Sequence, residues 1–409
     1  MSWSQWLSLI ALVLAAAALL LSLSTRRAGG AQAARRLLST LTAGTAEAPA
    51  EVEPLRAELT PGDLVAFVAN PTKPGANELR EAAFEACAAR SMPEPLWFET
   101  TVTDPGVGQA RKSIELGAVA VIAVGGNGTV RAVAEALAGS GVPMGLIPQG
   151  TGNLLARNLD LPLTDLPELL RLALTAPGRP IDVGWLRVSS GVPDGSDPGA
   201  DDDAPLAPGG AVAVGRDSAG IDDARFDGAE LVDAAREHIF LVIAGLGFDA
   251  AMVADTDEIL KARVGWIAYF VAGARHLHGR RPKLRIQLDD QPVVARRVRS
   301  LLVGNCGRLP GGITLLPDAV LDDGWLDIAA IDTRGGLAGW AQLLGEVGLQ
   351  GVGLRNDLRG KIGRIDHARA RTVHVVADRP EAVQVDGDVL GRAREITARV
   401  DPGALVVRA

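Results

Sequence analysis

Cysteine and histidine are scarce in this chain of 409 residues, which has two cysteines and five histidines. Cys87 and Cys306 each lie in an apolar stretch. Neither has a second cysteine or a histidine at metal-ligand spacing, so we expect two buried thiols and no zinc site. An excess of positive charge is also absent, because the formal net charge is -8 at pH 7. This balance argues against nucleic acid as a main partner, since a phosphate backbone attracts positive charge.

A long apolar run lies close to the N-terminus. Residues 3–24 carry no charge, and about 20 apolar residues can cross a bilayer as a helix. Trp3 and Trp6 suit the membrane interface, and the run is followed by Arg26, Arg27, Arg35 and Arg36. A cleaved signal peptide is the alternative, but its positive charge normally precedes the apolar run. We therefore predict a single-pass transmembrane anchor (1–25), a linker (26–61), and a cytoplasmic location for the rest of the chain.

Residues 62–188 alternate short apolar runs with helical patterns. Strands are predicted at DLVAFVANP, PLWFETT, AVAVIAVGG and VPMGLIPQGTGN, and helices near 77–91, near 106–117 and at VRAVAEALAGS. Strands that alternate with helices imply a parallel sheet with crossover helices. This segment is therefore predicted to be a doubly wound α/β nucleotide-binding domain.

The pattern changes twice after this domain. Residues 189–236 are rich in Asp, Gly and Pro, which predicts a disordered acidic insertion. A calcium loop at 201–203 is the alternative, but the alternating ligand spacing is missing. Residues 237–409 contain alternating runs separated by turn residues, with helical patterns near 256–277 and 336–350. The prediction for 237–409 is an antiparallel β-sandwich.

A glycine-rich turn, Gly125–Thr129, follows the third predicted strand and opens a helix. Glycine lets the backbone approach a phosphate, and the helix N-terminus attracts an anion. A tight strand–helix turn without a ligand is the alternative. Three more turns follow neighbouring strands, at 70–73, at Thr101 and at 150–153. Because the carboxyl ends of parallel strands meet at one edge, these turns together favour a nucleoside triphosphate site.

The segment 259–285 mixes aromatic and basic side chains, among them Trp266, Tyr269 and Phe270. A basic amphipathic stretch suits an anionic membrane surface. An ordinary helix that packs on the sandwich and exposes a basic face explains the pattern equally well.

Taken in order, these motifs give a family resemblance. They are NPTK at 70–73, VGGNGTVRAVAEAL at 124–137, IPQGTGNLLARNL at 147–159, AGLGFDAAM at 244–252, LPDAVLDDGWLDI at 316–328 and VDGD at 385–388. From about Leu64 to the C-terminus, the chain resembles the diacylglycerol kinase catalytic-domain family. That family includes sphingosine and other soluble lipid kinases and shares its first domain with NAD kinases.

The resemblance implies a two-domain fold with ATP in the cleft between the domains and a C-terminal strand that can return to the first domain. It implies Asp388 as the general base and a Mg²⁺ site at the Asp322-Asp323-Gly324 turn. The Asp323 carboxylate and the carbonyls of Val320 and Trp325 would form that site, although a plain hairpin turn is the alternative. By position, the nucleotide contacts are Asn70, Pro71, Lys73, Thr101, Gly125, Gly126, Asn127, Gly128, Thr129, Val130, Arg131, Gly150, Thr151 and Asn153.

Several positions depart from the family pattern, which has an aspartate in the glycine-rich loop where this chain has Asn127. A glutamate and a second aspartate are replaced by Ala132 and Leu154, and the usual glutamate base is the shorter Asp388. The changes at Asn127, Ala132 and Leu154 remove three carboxylates from the expected metal network. Asp182 and Asp249 are acids near predicted strand ends that could compensate.

The sequence thus predicts a lipid kinase that uses ATP and Mg²⁺ to phosphorylate diacylglycerol or a related membrane lipid. Its partners would be the lipid substrate and the bilayer, and a homodimer is compatible with the sequence. The missing carboxylates favour one alternative, a nucleotide- or lipid-binding protein of the same fold with impaired catalysis. A kinase for a soluble substrate such as NAD is a third hypothesis, against which the apolar run and the basic aromatic segment count.

Overall fold

The computed structural model describes residues 59–189, 236–247, 281–309, 314–333 and 363–409. All of them belong to one compact unit, Pro54–Gly348 with Asn356–Ala409. The expected anchor, most of the linker, the acidic insertion, Asp249 and the helices near 256–277 and 336–350 lie outside the described residues. Within the described ranges, no helix is both long enough and apolar enough to cross a membrane.

The N-terminal part alternates strands and helices as the sequence predicts. The strands are β1 (Val65–Ala69), β2 (Leu96–Glu99), β3 (Ala120–Gly125) and β4 (Met144–Pro148). The helices are α1 (Ala76–Ala88), α2 (Val107–Glu115), α3 (Asn127–Leu137), α4 (Leu154–Asn158) and α5 (Leu166–Thr175). Every residue of β1, β3 and β4 is buried, which is typical of strands in the middle of a parallel sheet.

These four strands pair in the order β2-β1-β3-β4, all parallel. Helix α1 contacts α5, and α2 contacts α3, so the helices cover the sheet in two pairs. The carboxyl ends of all four strands therefore lie at one edge, where a ligand of such a sheet binds.

The C-terminal part is rich in antiparallel strands. They are β5 (Gly178–Ser189), β6 (Glu237–Phe240), β7 (Ile243–Gly247), β8 (Lys283–Leu288), β9 (Val294–Arg297), β10 (Ser300–Gly304), β11 (Leu326–Thr333), β12 (Gly363–Ala370), β13 (Thr372–Val385) and β14 (Asp388–Arg408). Their cores form a second buried apolar cluster, centred on β7, β10, β13 and β14.

The long strand β14 joins the two parts. It runs antiparallel to β13 and β5, and its last residues, Val407 and Arg408, pair in parallel with Met144 and Gly145 of β4. A register shift between Asp401 and Leu405 bends the strand on the way, as a bulge does. The 14 strands in the described residues thus form one hydrogen-bonded sheet.

Helix α5 lies between 160 and 177, where no element was predicted. The chain carried the signs of a helix start there. The Asp165 side chain accepts a hydrogen bond from the Glu168 N–H, and a proline occupies the first turn, which is a common N-terminal arrangement. The buried face of α5, Leu169, Leu170, Ala173 and Leu174, completes the first core.

Candidate active site

The glycine-rich turn lies between β3 and α3. A Cβ on Gly125 would lie 2.6 Å from Thr129 Oγ1, so only glycine lets the buried threonine sit this close. No side chain caps the N-terminus of α3. The first turn of α3 therefore keeps backbone N–H groups for a ligand, and the helix dipole favours an anion there.

A second turn, 150–153, packs against the first. A Cβ on Gly150 would lie 2.8 Å from Gly126 Cα, and the Gln149 N–H donates to the Gly125 carbonyl (2.8 Å). Asn153 adopts a left-handed conformation with φ 46°. Its Oδ1 accepts the Gly150 N–H at 2.8 Å, which closes the turn. The two glycine turns thus form one surface at the edge of the sheet.

Asn127 ties these turns to a third, the β13–β14 turn. Its Oδ1 accepts the Leu154 N–H (2.9 Å), and its Nδ2 donates to the Asp386 carbonyl (3.3 Å). The expectation from the sequence was that Asn127 weakens a metal network. In the structure it is a neutral cross-link between segments that are far apart in the chain.

The β13–β14 turn is a two-residue hairpin loop formed by Asp386 and Gly387, with φ 48° and 90°. Two left-handed residues of the Asp-Gly type are what a tight hairpin requires. The Asp386 carboxylate is buried and accepts the N–H groups of Leu241, Val242 and Ile243 at 2.8–3.0 Å. Burial raises the pKa of Asp386, against the opposing effect of these N–H groups and of Arg131.

Asp388, the expected general base, directly follows this turn. Its Oδ2 pairs with Arg131 Nη2 at 2.8 Å, and about half of the Asp388 side chain is exposed (50%). Arg131 also donates from Nη1 to the Val385 carbonyl (2.9 Å). A Cβ on Gly128 would lie 3.6 Å from Asp388 Oδ2. The carboxylate is therefore held beside the glycine-rich turn and remains open to solvent.

The remaining expected nucleotide contacts lie along the same edge. The Asn70 N–H donates to the Val124 carbonyl (3.0 Å), next to the glycine-rich turn. The Asn70 side chain accepts hydrogen bonds from Thr72, which shapes the turn with Pro71 and Lys73. Thr101 follows β2, and its hydroxyl accepts the Asp104 N–H within its own loop. Val130 is buried, whereas Thr151 is exposed.

The two other lost carboxylates fall in apolar surroundings. Ala132 is buried, and a Cβ on Gly106 would lie 3.4 Å from the Ala132 Cβ. Leu154 is also buried and belongs to the first core. Both positions are buried, and an ionised carboxylate is costly in a buried site without a partner. Asp182 does not compensate near the glycine turns, because its carboxylate accepts the N–H groups of Gly324 and Gly403 (2.6 and 2.8 Å).

The Asp322–Gly324 turn, the expected metal site, leads into β11. The Trp325 N–H donates to Asp323 Oδ1 (3.1 Å), and Arg369 pairs with Asp323 Oδ2. Val320 lies exposed beside the turn. The carboxylate that the resemblance assigns to the metal, that of Asp323, is thus paired with an arginine.

Sequence reasoning missed the buried hydrogen bonds of Asp386 and the pairing of Arg131 with Asp388. Asp386 was visible in the VDGD motif, but its three backbone partners lie about 145 residues away. Arg131 was assigned to the nucleotide alone. A contact across 257 residues has no local sequence pattern that could have indicated it.

Two family descriptions match the chain. Residues 27–186 match the diacylglycerol kinase catalytic domain. Residues 242–409 match the domain described as the YegS C-terminal NAD kinase beta sandwich-like domain. The first match covers the α/β part of the fold, and the second covers most of the β-rich part.

Individual relatives and solved structures agree with these matches. A "Probable lipid kinase YegS-like" of Pseudomonas aeruginosa is 28% identical over 352 residues, which is 84% of this chain and 94% of the relative. A "Diacylglycerol kinase" of Mycobacterium tuberculosis is 25% identical over 54% of this chain and 58% of its own length. A crystal structure of a diacylglycerol kinase from Bacillus anthracis has a TM-score of 0.58 at 19% identity, covering 85% of this chain and 96% of that one. At that identity the structural likeness shows the fold alone.

Proposed function

Because the chain belongs to the diacylglycerol kinase catalytic-domain family, we propose that it transfers the γ-phosphate of ATP to the hydroxyl of diacylglycerol or a related membrane lipid. The match to a kinase catalytic domain and the kinase names of the relatives indicate a phosphotransferase. The observation that carries the proposal is the half-exposed Asp388 carboxylate, held beside the glycine-rich turn by Arg131.

The two glycine turns suit the triphosphate of ATP. Gly125 and Gly150 both lie where a side chain would collide with the neighbouring backbone or with Thr129. The uncapped N-terminus of α3 adds backbone N–H donors and a favourable dipole. Phosphoryl transfer depends mainly on positioning and charge neutralisation, and the backbone of these turns would contribute to positioning the phosphates.

Asp388 would act as the general base. As the lipid hydroxyl oxygen bonds to the γ-phosphorus, its proton passes to the Asp388 carboxylate. The bond from the γ-phosphorus to the bridging oxygen breaks, and ADP leaves. Arg131 fixes the carboxylate, while Asn127 fixes the turn that carries it. A general base must lie within hydrogen-bond distance of the proton that it takes. Because the turn that carries Asp388 is anchored, the aspartate can serve although it is one methylene shorter than the usual glutamate.

Mg²⁺ is the cofactor we propose for the nucleotide. Hard oxygen ligands suit this ion, which usually binds through one or two carboxylates and the substrate phosphates. The phosphates would supply most of its ligands, because one oxygen of Asp388, the carboxylate beside the glycine turns, is paired with Arg131 and the other would take the proton. When bound, the ion would supply charge neutralisation for the transferred phosphoryl group.

We propose a membrane location for the enzyme, through the apolar run at 3–24, with the catalytic part in the cytoplasm. A tethered active site stays close to a lipid that never leaves the bilayer. The bilayer and the lipid are then its partners, and the basic and aromatic composition of 259–285 suits an anionic headgroup surface. A homodimer remains a prediction.

The proposal is tested with the full chain in detergent–lipid micelles, supplied with Mg²⁺ and ATP radiolabelled at the γ-phosphate. Diacylglycerol, monoacylglycerol, sphingosine and NAD are offered separately. We expect label in an organic-soluble phosphomonoester. Asp388→Asn should lower the rate by about 10²- to 10⁴-fold, as loss of a general base does. Asp290→Asn, an exposed acid in the β8–β9 turn, is the matched control.

Other outcomes would favour the other hypotheses. Label on NAD would support a kinase for a soluble substrate. Binding of ATP with no transfer to any acceptor would support an impaired, binding-only protein, which the neutral Asn127 favours.

A further inference from the structure

The Asp322–Gly324 turn is anchored by a buried acid of β5. Asp182 of β5 is buried, and its two carboxylate oxygens accept the N–H groups of Gly324 and Gly403. The Asp182 N–H donates to the Leu321 carbonyl (2.7 Å). The turn is thereby fixed to β5 and to the bend of β14.

A single arginine spans two carboxylates at this turn. Arg369 of β12 faces Asp327 of β11 in the strand register, and its Nε lies 3.4 Å from Asp327 Oδ1. The same guanidinium pairs with Asp323 Oδ2. It also lies 6.0 Å from the centre of the Trp325 ring. One side chain therefore bridges the turn and the strand that follows it.

The side chains as they stand do not fit a divalent ion at Asp323. Both of its oxygens are engaged, one by the Trp325 N–H and one by Arg369. In the part of the chain that the structure describes, no group of three or more acidic, histidine or cysteine side chains is arranged to hold a metal. A hard divalent ion needs several oxygen ligands that are free to bind it.

The turn nevertheless needs positive charge. Asp327 is buried, and its Oδ2 has no hydrogen-bond partner. Asp322 is paired separately, with Arg179 (2.7 Å). Without Arg369, Asp323 and Asp327 would face each other as like charges, which is unfavourable in a partly buried site.

We propose that the Arg369 guanidinium takes the place of a divalent ion at this turn, so that the turn is stable without a metal. An arginine offers a fixed positive charge that is not lost to a chelator. The inference does not depend on which lipid the enzyme phosphorylates, nor on whether it is active.

Thermal unfolding of the full chain, without nucleotide, is the first test. We expect the same midpoint in EDTA and in millimolar Mg²⁺ for the wild type. Arg369→Met should lower the midpoint by several degrees in EDTA, and Mg²⁺ should restore part of the loss. Arg371→Met is the matched control, because Arg371 lies over the same Trp325 ring, at 4.9 Å. Its response to Mg²⁺ should equal that of the wild type.

Terbium luminescence sensitised by Trp325 is the second test, because Tb³⁺ binds sites of hard oxygen ligands. We expect a new signal in Arg369→Met that disappears when Asp323→Asn is added. The proposal is overturned if the wild type is stabilised by Mg²⁺ and gives a terbium signal that Asp323→Asn abolishes. It is also overturned if Arg369→Met folds and responds to neither ion. The wild-type measurement holds even if the variant does not fold.

Discussion

Asn127 makes two hydrogen bonds of opposite direction, and the identity of its side chain explains both. Its oxygen accepts from the Leu154 N–H, and its amide nitrogen donates to the Asp386 carbonyl. An aspartate could make the first bond but not the second, because an ionised carboxylate only accepts. Asn127 lacks the negative charge of an aspartate, but it links the 150–153 turn to the β13–β14 turn through two hydrogen bonds.

Replacement of Asn127 by aspartate is the sharpest test of this role. We expect Asn127→Asp to lower the free energy of unfolding by about 1–3 kcal/mol, since the Asp386 carbonyl loses its donor and faces a carboxylate. We also expect kcat to fall, because the turn that carries Asp388 loosens. Urea unfolding and steady-state kinetics measure the two effects. Asn77→Asp, at an exposed position of α1, is the control.

A rise in kcat in Asn127→Asp would contradict this account. It would mean that the position serves a metal ion, and that the asparagine is a lesion instead of a cross-link.

At the scale of single residues, the glycine turns have a local pattern and the family resemblance implied Asp388 as the base. The structure places Asp388 beside Gly128. The hydrogen-bond partners of these residues could not be predicted from the sequence. Arg131 was assigned to the nucleotide by its position in the helix that follows the loop, yet it holds Val385 and Asp388 from the other end of the chain. Three-dimensional pairing of this kind leaves no trace in one sequence.

The strand–helix element β3–α3 depends on how closely its turn approaches its own helix. Gly125→Ala would place a methyl group 2.6 Å from Thr129 Oγ1 and 2.7 Å from its Cβ. We expect a loss of about 1–3 kcal/mol in the free energy of unfolding, as overpacking of a tight site causes. The apparent KM for ATP should rise as well.

Gly128→Ala is the matched control for stability in the same turn, because its new methyl group would make only ordinary contact, 3.6 Å from Asp388 Oδ2. Its unfolding midpoint, measured by circular dichroism, should equal or exceed that of the wild type. Equal losses in both variants would show that the close approach at Gly125 is not what constrains the turn.

The β13–β14 hairpin contains a buried acid whose ionisation couples stability to pH. Because burial raises the pKa of Asp386 above its ordinary value of 3.8, the folded state binds the proton more tightly than the unfolded state. Its contribution to stability is therefore fully present below the ordinary pKa and is lost as pH rises through the raised one.

We therefore expect the difference in free energy of unfolding between the wild type and Asp386→Asn to change in one direction. It should shift in favour of the wild type as pH falls from neutral through that window. Denaturant unfolding at a series of pH values measures it. A difference that is constant with pH, or that moves the other way, would show that the three backbone N–H groups outweigh burial.

The elements themselves were predictable where their patterns were strong. Strands β1, β3 and β4 are short apolar runs that end in turn residues, and α1 and α2 end within a few residues of their predicted limits. Helix α5 was missed although Asp165 and a proline mark its start. Residues 178–188 were placed in the α/β domain without a predicted strand, but they belong to β5, which pairs antiparallel with β14 and β6. Register between distant strands has no local sequence pattern.

At the scale of the whole molecule, the candidate site depends on contact between the α/β part and the β-rich part. β14 begins at the candidate base and ends in the sheet of the α/β part, beside β4. Arg408, the last residue of β14, is buried, and its Nη1 donates to the Ala176 carbonyl (2.8 Å). The resemblance implied two domains and a returning strand. The continuous sheet explains how Asp388, the candidate base, comes to lie beside the glycine turns.

Phosphorus NMR of the reaction mixture tests the central claim most directly. The full chain is incubated with ATP, Mg²⁺ and diacylglycerol in micelles. We predict that the γ-phosphate resonance of ATP is replaced by a lipid phosphomonoester resonance together with those of ADP, and that Asp388→Asn stops this conversion. Appearance of inorganic phosphate alone, or an unchanged conversion in Asp388→Asn, would contradict the claim that Asp388 and the glycine turns form the active site of a lipid kinase.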